Sequence, residues 1–246
     1  MRMSVVKEYY HKARAVALIS IWVLLWLALF LNISSPIVNT VKKATLVICV
    51  IGIWVVGAAI FWNKKAARLV ILAIGIIPML FLSMPGYQYD KTFLRQEYVN
   101  ELSKYENVNY VWGGEKRSGI DCSGLIRAGL INANIRQGII RLNPRLVRTG
   151  IYLWWNDSSA YELGSGYKNR TKRIAAIKDI DDVDYSTIRP GDFVVKADGT
   201  HTMAYLSDNI WIEADPEMMK VIKEKIPGSK SWKGTPVYVM RWHQLE

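Results

Sequence analysis

The first third of this sequence is almost without acidic residues. Up to Met84 the only carboxylate is Glu8, whereas nine Lys and Arg residues occur there, so this part carries +8 of the net charge of +11. The excess of basic residues is therefore not spread over a face that would bind nucleic acid, and we expect no nucleic-acid partner. Basic residues that bracket apolar runs are instead typical of the ends of membrane spans.

Cysteine and histidine are also scarce, with two and three residues respectively. The cysteine and the two histidines after Met84 lack the spacing of zinc ligands. Gly113-Gly114 is not followed by the Lys and Ser or Thr of a phosphate-binding loop. We therefore expect neither a metal nor a cofactor. Cys49 falls within an apolar run and Cys122 in the polar part, so we expect no disulfide between them; Cys122 is a candidate reactive thiol.

Three hydrophobic runs account for the apolar character of the first third. They cover residues 15–33, 44–62 and 66–84, the last one if Arg68 extends its charge to the headgroups. About 20 helical residues cross the hydrocarbon core of a bilayer. The sequence therefore predicts a membrane region, residues 1–84, with three transmembrane helices. Pro78 predicts a kink in the third helix rather than a break.

The first run has a second interpretation, a cleaved signal peptide. It is longer than the usual apolar stretch of about 7–15 residues, and Asn32-Ile33-Ser34-Ser35 is a poor cleavage site, so we favour an uncleaved anchor. Lys and Arg are more numerous in the N-terminal tail and the second connection than in the first connection and the stretch after the third run. This bias favours an orientation with the N-terminus and the second connection in the cytoplasm. Three spans then place everything after Met84 outside the cytoplasmic membrane.

The breaker pair Pro85-Gly86 marks the start of a second domain, residues 85–246. Its first part has apolar residues at helical spacing, and its last sixty residues contain short runs rich in β-branched and aromatic residues between turn signals. The predicted helices cover 90–105, 123–133 and 136–155, and 158–173 is predicted to be a loop. The predicted strands cover 193–195, 202–206, 210–212 and 237–242. Helices followed by strands predict an α+β domain with an antiparallel sheet.

Cys122 lies at the predicted start of a helix, in Asp121-Cys122-Ser123-Gly124. The unpaired amides and the dipole of a helix N-terminus lower the pKa of a thiol, and the thiolate is the nucleophile. The small residues after Cys122 allow a substrate to approach the backbone, whose amides could hold an oxyanion. The alternative is a buried, inert cysteine, the commonest fate of a free thiol. The polar neighbours of Cys122 argue against it.

His201 is the better of two candidates for the base that such a thiol requires. It follows a turn and opens a predicted strand, whereas His243 lies near the chain end, where fraying is common. Glu213 lies twelve residues after His201, and a hairpin between the two strands could place its carboxylate beside the imidazole, as in other triads. Asp215 competes for this role, although Pro216 suggests that Asp215 begins a turn.

Four segments in this order resemble the NlpC-type family of bacterial cell-wall peptidases, which have a papain-like fold. The first is Tyr110-Val111-Trp112-Gly113-Gly114, followed after seven residues by Cys122-Ser123-Gly124-Leu125. The others are Ile188 to Phe193 with its Pro-Gly-Asp turn, His201 to Leu206, and Ile212-Glu213-Ala214. The joint occurrence of the four segments over about 105 residues makes the resemblance specific.

The resemblance implies a cysteine peptidase with Cys122 as the nucleophile, His201 as the base and Glu213 as the third residue. It also implies substrate or oxyanion contacts by Tyr110, Asp121 and Ser123. The implied substrate is the peptide stem of peptidoglycan, often cut after a γ-linked D-glutamate through an acyl-enzyme. The protein would then be a multi-pass protein of the bacterial cytoplasmic membrane, with its catalytic domain on the periplasmic or cell-wall side. Its expected partners are peptidoglycan, the lipid bilayer and other membrane proteins.

The sequence departs from the family pattern in three places. Glu213 stands where histidine is common, and Met203 replaces a common glycine. The stretch between Cys122 and Pro190 is longer than expected, with an insertion at 142–173 that would be a lid, a substrate-selecting wall or mere packing. Two other functions fit the same residues: an amidase or acyltransferase on another substrate, and a non-catalytic wall-binding scaffold.

Overall fold

The computed structural model describes residues 2–229 and 232–246, which divide into two compact units. Unit 1 comprises the chain up to Ser35 together with Asn39–Met84, and unit 2 comprises Pro36–Val38 together with Pro85–Glu246. The three residues Pro36–Val38 precede the second apolar helix in the sequence but belong to unit 2.

Unit 1 consists of three long apolar helices, α1 (Arg2–Ser34), α2 (Thr40–Phe61) and α3 (Lys65–Ser83). They cover the three predicted spans except for Trp62 and Met84, each of which lies one residue beyond its helix, and α1 begins well before residue 15. Each helix is long and apolar enough to cross a membrane. Most of their large apolar side chains are exposed, which is typical of helices surrounded by lipid. The third helix continues through Pro78 without a break.

Unit 2 begins with helices, and two sequence predictions are wrong here. The helices are α4 (Lys91–Ser103), α5 (Cys122–Ile140), α6 (Pro144–Trp155) and α7 (Ala160–Gly164). Residues 136–155 do not form one helix, because α5 ends at Ile140 and α6 starts anew after Asn143, whose side chain accepts a hydrogen bond from Arg145 N–H. Residues 158–173 are not a loop throughout, because Ser159 and Glu162 form a capping box that starts α7.

A small hairpin of β1 (Glu115–Lys116) and β2 (Gly119–Ile120) lies between α4 and α5 in the chain. An antiparallel sheet of six strands follows the helices: β3 (Thr171–Ile177), β4 (Phe193–Lys196), β5 (Thr202–Ser207), β6 (Ile210–Asp215), β7 (Lys220–Lys225) and β8 (Val237–Trp242). The strand order in this sheet is β3-β8-β4-β5-β6-β7. The fold is therefore α+β, as predicted. The two edge strands β3 and β7 were missed, because β3 begins with the polar Thr171, Lys172 and Arg173 and β7 contains three lysines and a glutamate, as edge strands often do.

Helix α5 lies at the centre of unit 2, since it packs against α4 and α6 and contacts β5 and β6. Its inward residues Leu125, Ile126 and Leu130 are almost completely buried. The N-terminus of α5 is thereby held next to the strands that carry the polar residues of the candidate site.

A buried ion pair joins the start of β4 to β8. Arg241 donates hydrogen bonds of 2.7 and 2.6 Å to the two carboxylate oxygens of Asp192, and both residues are buried. Asp192 also accepts a hydrogen bond of 2.8 Å from Arg189 N–H, which closes the Pro-Gly-Asp turn. The Asp of this motif therefore fixes the turn to the sheet.

We expect Arg241→Met to lower the free energy of unfolding by about 3–5 kcal/mol, because it leaves the Asp192 carboxylate buried without its ionic partner. Urea unfolding of the full-length protein in detergent, followed by tryptophan fluorescence, measures the change. Lys172→Met is the control. Lys172 pairs with Glu246 at the surface, where an ion pair contributes about 0–1 kcal/mol. Equal losses in the two variants would contradict the prediction.

Candidate active site

Cys122 is the first residue of α5, and Asp121 caps this helix. The Asp121 carboxylate accepts hydrogen bonds from Gly124 N–H at 2.6 Å, from the Ser123 hydroxyl at 3.0 Å and from Gly113 N–H at 2.9 Å. The amide of Gly124 is thus engaged. The amides of Cys122 and Ser123 lie in the first turn, where helix geometry provides no acceptor for them. These two amides are the donors that an oxyanion could use.

The Gly113-Gly114 loop lies directly against this first turn. Asp121 N–H donates a hydrogen bond of 3.1 Å to the Gly114 carbonyl. A β-carbon on Gly124 would lie 2.2 Å from the same carbonyl oxygen, so only glycine fits there. On the other side of the loop, Val38 N–H donates a hydrogen bond of 2.8 Å to the Gly113 carbonyl. The glycines of the motif therefore permit close packing of the loop on the helix that carries Cys122.

His201 and Glu213 are brought together by two neighbouring strands. His201 immediately precedes β5, Glu213 lies in β6, and the pairing of these strands places His201 Nε2 2.5 Å from Glu213 Oε2. Both side chains are largely buried, with exposed fractions of 11% and 2%. The competing carboxylate of Asp215 instead accepts hydrogen bonds from the amides of Glu217 and Met218 at 2.6 and 3.1 Å. Asp215 therefore begins a turn, and Glu213 is the carboxylate that contacts the imidazole.

The imidazole of His201 also hydrogen-bonds the side chain of Cys122. Because Glu213 engages Nε2, Nδ1 is the ring nitrogen left for the sulfur. Burial alone would lower the pKa of His201, but the hydrogen bonds to Cys122 and Glu213 and their negative charges raise this pKa from 6.5 to about 9. At neutral pH the ring is therefore an imidazolium, which stabilises a neighbouring thiolate.

A fourth residue, Trp232, was not identified from the sequence. It is completely buried, and its indole N–H lies 3.0 and 3.1 Å from the two carboxylate oxygens of Glu213. Its ring centroid is 5.4 Å from that of His201, with 32° between the planes. Trp232 thus holds the carboxylate and contacts the imidazole at the same time. Its only sequence signal is a tryptophan within a stretch of Lys, Gly and Ser.

Tyr110 completes the set of predicted site residues. It is half-buried, and burial together with the negative charges of Cys122 and Asp121 raises its pKa to about 12. The phenol therefore keeps its proton at neutral pH and can donate a hydrogen bond. The structure thus brings five of the predicted residues into one neighbourhood, and Ser123 lies beside them in the first turn of α5.

Two clefts border these residues. One has a volume of about 610 Å³, and its lining includes Cys122 and residues 157–160. The other has a volume of about 350 Å³, and its lining includes Tyr110, His201 and Glu213. Trp112, which is 80% exposed, borders both clefts. The site is therefore an open groove with room for an extended ligand.

Arg127 ties the 157–160 side of the groove to the helix that carries Cys122. Its guanidinium donates a hydrogen bond of 2.6 Å to Asp157 and hydrogen bonds of 2.8 Å to the carbonyls of Leu153 and Asn156. It also forms an ion pair of 2.7 Å with Glu115, and Arg127 itself is only 2% exposed. The end of α6 is therefore fixed to α5 by buried polar contacts.

Comparison with known families decides the assignment. Residues 107–241, more than half of the chain, match the sequence profile of the NlpC/P60 family. The chain belongs to the NlpC/P60 family. No curated protein sequence matches this NlpC/P60 protein significantly. Among residues 2–229 and 232–246, no group of three or more His, Cys, Asp or Glu side chains is arranged to hold a metal ion.

Several solved structures are similar to this NlpC/P60 protein. NlpC1 from Trichomonas vaginalis has a TM-score of 0.40 and 17% identity, over 63% of this chain and 48% of that protein. The P60 domain of an antigen from M. avium subspecies paratuberculosis has a TM-score of 0.38 and 18% identity, over 61% of this chain and 96% of that domain. The NlpC/p60 domain of the peptidoglycan hydrolase SagA has a TM-score of 0.32 and 20% identity, over 59% and 97%. The chain spans about half the length of the Trichomonas protein, and family membership rests on the profile match.

Proposed function

We propose that this NlpC/P60 protein is a membrane-anchored cysteine endopeptidase or amidase that hydrolyses amide bonds in the peptide stems of peptidoglycan. The observation that carries the proposal is the 2.5 Å contact between His201 Nε2 and Glu213 Oε2, made by the same imidazole that hydrogen-bonds Cys122. A nucleophile, a base and an orienting carboxylate in one hydrogen-bonded series are the requirements of acyl transfer to cysteine. Family membership supports the substrate class.

The reaction begins when the Cys122 thiolate attacks the carbonyl carbon and the carbonyl π electrons move to oxygen. The amides of Cys122 and Ser123 and the hydroxyl of Tyr110 stabilise this oxyanion. The His201 imidazolium donates its proton to the leaving amine as the C–N bond breaks, which leaves a thioester. A water molecule then gives a proton to His201 and its oxygen to the acyl carbon. The C–S bond breaks, which restores the thiolate–imidazolium pair, and the carboxylic acid product leaves and loses its proton to solvent.

The groove suits a short extended peptide, since Cys122 borders the larger cleft and His201 the smaller one. Residues 157–160 belong to the inserted segment 142–173 and line the larger cleft. Because Arg127 on α5 holds Asp157 and the preceding carbonyls of Leu153 and Asn156, we assign this segment the role of a substrate-selecting wall rather than of a movable lid. The wall would contact the part of the stem peptide that precedes or follows the scissile bond.

The three apolar helices and the distribution of Lys and Arg support a location on the extracytoplasmic face of the cytoplasmic membrane. Peptidoglycan lies on that face. The substrate class and the orientation of the chain in the membrane therefore agree, although they derive from different residues.

Incubation of the full-length protein in detergent with defined peptidoglycan fragments, followed by mass spectrometry, tests the proposal. We expect products with a new carboxylate and a new amine within the stem peptide, as after a γ-linked D-glutamate. Fragments that stay intact between pH 5 and pH 9 would contradict the proposal. A product in which an amine rather than water has accepted the acyl group would identify the protein as an acyltransferase.

The Trp232→Phe substitution tests whether the indole N–H of Trp232 is needed to hold the Glu213 carboxylate in place. We expect kcat to fall about 10-fold with KM little changed, because the variant loses an N–H donor to a charged carboxylate but keeps a ring beside His201. Trp211→Phe is the matched control, since Trp211 is also completely buried and its indole N–H donates to the Tyr185 hydroxyl at 3.2 Å. Equal losses of activity in both variants would show that Trp232 acts only through folding.

A further inference from the structure

The C-terminal end of α5 and the turn that follows it expose three large aliphatic side chains. Ile139, Ile140 and Leu142 are 58, 62 and 71% exposed. Adjacent apolar side chains that remain in solvent commonly mark a contact with another molecule or with lipid. Their exposure means that they contribute little to the core of unit 2.

Leu142 is unusual in its backbone as well. Its φ is +50°, in the left-handed region where the residue after a helix is usually glycine or asparagine. Asn143 N–H donates a hydrogen bond of 2.7 Å to the Gly138 carbonyl, which closes this helix end. A leucine at such a position neither suits the local backbone nor fills the core. Its side chain is therefore available for a contact outside the protein.

Arginines surround these aliphatic side chains. Residues 136–148 contain four arginines and no acidic residue. Arg136 pairs with Glu101 at 3.2 Å. Arg141, Arg145 and Arg148 are exposed and flank the turn. The guanidinium carbon of Arg141 lies 4.1 Å from the centroid of the Phe93 ring, and that of Arg145 lies 5.9 Å from the centroid of the Tyr89 ring. We name Ile139, Ile140, Leu142, Arg141, Arg145 and Arg148 the turn patch. Segments that bind the interface of an anionic bilayer typically combine apolar side chains with surrounding basic residues.

The turn patch packs against the short segment that follows α3 in the chain. The Tyr87 hydroxyl donates a hydrogen bond to the Arg141 carbonyl, and the Asn143 side-chain amide donates one of 3.0 Å to the Tyr87 carbonyl. A β-carbon on Gly86 would lie 2.2 Å from Arg145 Cβ, so this chain segment packs tightly on the patch. Tyr87 is four residues after Ser83, the last residue of α3. Four residues of extended chain span at most about 14 Å.

We infer that the turn patch docks on the headgroup region of the membrane that the three apolar helices span. The aliphatic side chains enter the interface, and the arginines contact anionic phospholipid. Tyrosine side chains favour the bilayer interface, and the exposed Tyr87 contacts the turn patch. The inference needs membrane insertion of the helices but not the proposed catalytic activity.

A fluorescent label on a single cysteine tests the inference. The full-length protein carries Ile140→Cys in a Cys49→Ser, Cys122→Ser background, and it is placed in nanodiscs of phosphatidylcholine with or without phosphatidylglycerol. We expect a nitroxide on the lipid headgroup to quench the label at position 140 at least about threefold more than a label at position 207. The second label is introduced by Ser207→Cys at the exposed end of β5. We expect this difference to be larger in the discs that contain phosphatidylglycerol.

Two further variants keep the result interpretable. Leu142→Gly suits the left-handed backbone and so preserves the fold, yet we expect it to halve the quenching difference at least. Replacing Arg141, Arg145 and Arg148 by glutamine should abolish the preference for phosphatidylglycerol. Equal quenching at positions 140 and 207 overturns the inference. Shielding of the label that depends only on protein concentration also overturns it, because such shielding would identify contact between copies of the chain. Neither readout depends on peptide hydrolysis, so a failure here is distinct from a failure of the proposed function.

Discussion

Cys122→Ala is expected to lower kcat for hydrolysis of peptidoglycan fragments by about 10⁴-fold or more, since the acyl-enzyme cannot form without the sulfur nucleophile. The groove and the oxyanion donors remain, so substrate binding should persist. Release of stem-peptide fragments by the full-length protein in detergent, quantified by chromatography, measures the loss.

The sequence offers a matched control for this substitution. Cys49 is the only other cysteine, and it is buried in α2 of unit 1. Cys49→Ala should retain full activity, and iodoacetamide at neutral pH should inactivate the Cys49→Ala protein through Cys122. If the Cys122→Ala variant kept more than one tenth of the native rate, another group would have to be the nucleophile.

Glu213→Gln is expected to lower kcat/KM by about 10²–10⁴-fold, because glutamine has nearly the same shape but cannot stabilise an imidazolium by charge. The substitution should also change the pH profile. The pKa of His201 is raised from 6.5 to about 9, and Glu213 is one of the causes. The native imidazolium therefore persists until about pH 9, above which kcat/KM should decline. In the Glu213→Gln variant residue 213 is uncharged, so the pKa of His201 is lower than in the native protein. The decline of kcat/KM should therefore begin at lower pH.

Measurement of kcat/KM from pH 5 to pH 10 separates this effect from a loss of folding. Asp215→Asn is the control, since Asp215 lies in the same strand but its carboxylate is bonded to turn amides. Its alkaline decline should match that of the native protein. A Glu213→Gln profile that declines at the native pH would mean that Glu213 does not act on His201.

The geometry around Cys122, His201 and Glu213 could be predicted because each residue has a local signal. Cys122 lies in a small polar segment before a helical run, and His201 follows a turn. Glu213 required only the pairing of two adjacent strands. The turn between them contains Asp208 and Asn209 at φ of +51° and +62°, a backbone that Asp and Asn tolerate better than other side chains. The catalytic roles of these residues stay predictions.

The contact between Trp232 and Glu213 could not be predicted in this way. Nineteen residues separate the two along the chain, and Trp232 lies outside the helices and strands. The end of α5 was missed for a related reason. Leu142 takes a left-handed backbone that its identity does not indicate, although Asn143-Pro144 is a typical helix start. Contacts that arise from packing leave no periodic pattern in the sequence.

The contacts of Arg127 have a consequence for how a ligand enters the groove. Because the hydrogen bonds that Arg127 donates to the Leu153 and Asn156 carbonyls hold the end of α6 against α5, the walls of the groove keep their spacing when the site is empty. A ligand then meets a preformed surface, and no opening motion limits its arrival. The association rate constant should therefore depend on diffusion and on the orientation of the ligand. Differences in affinity between ligands should arise from their dissociation rate constants.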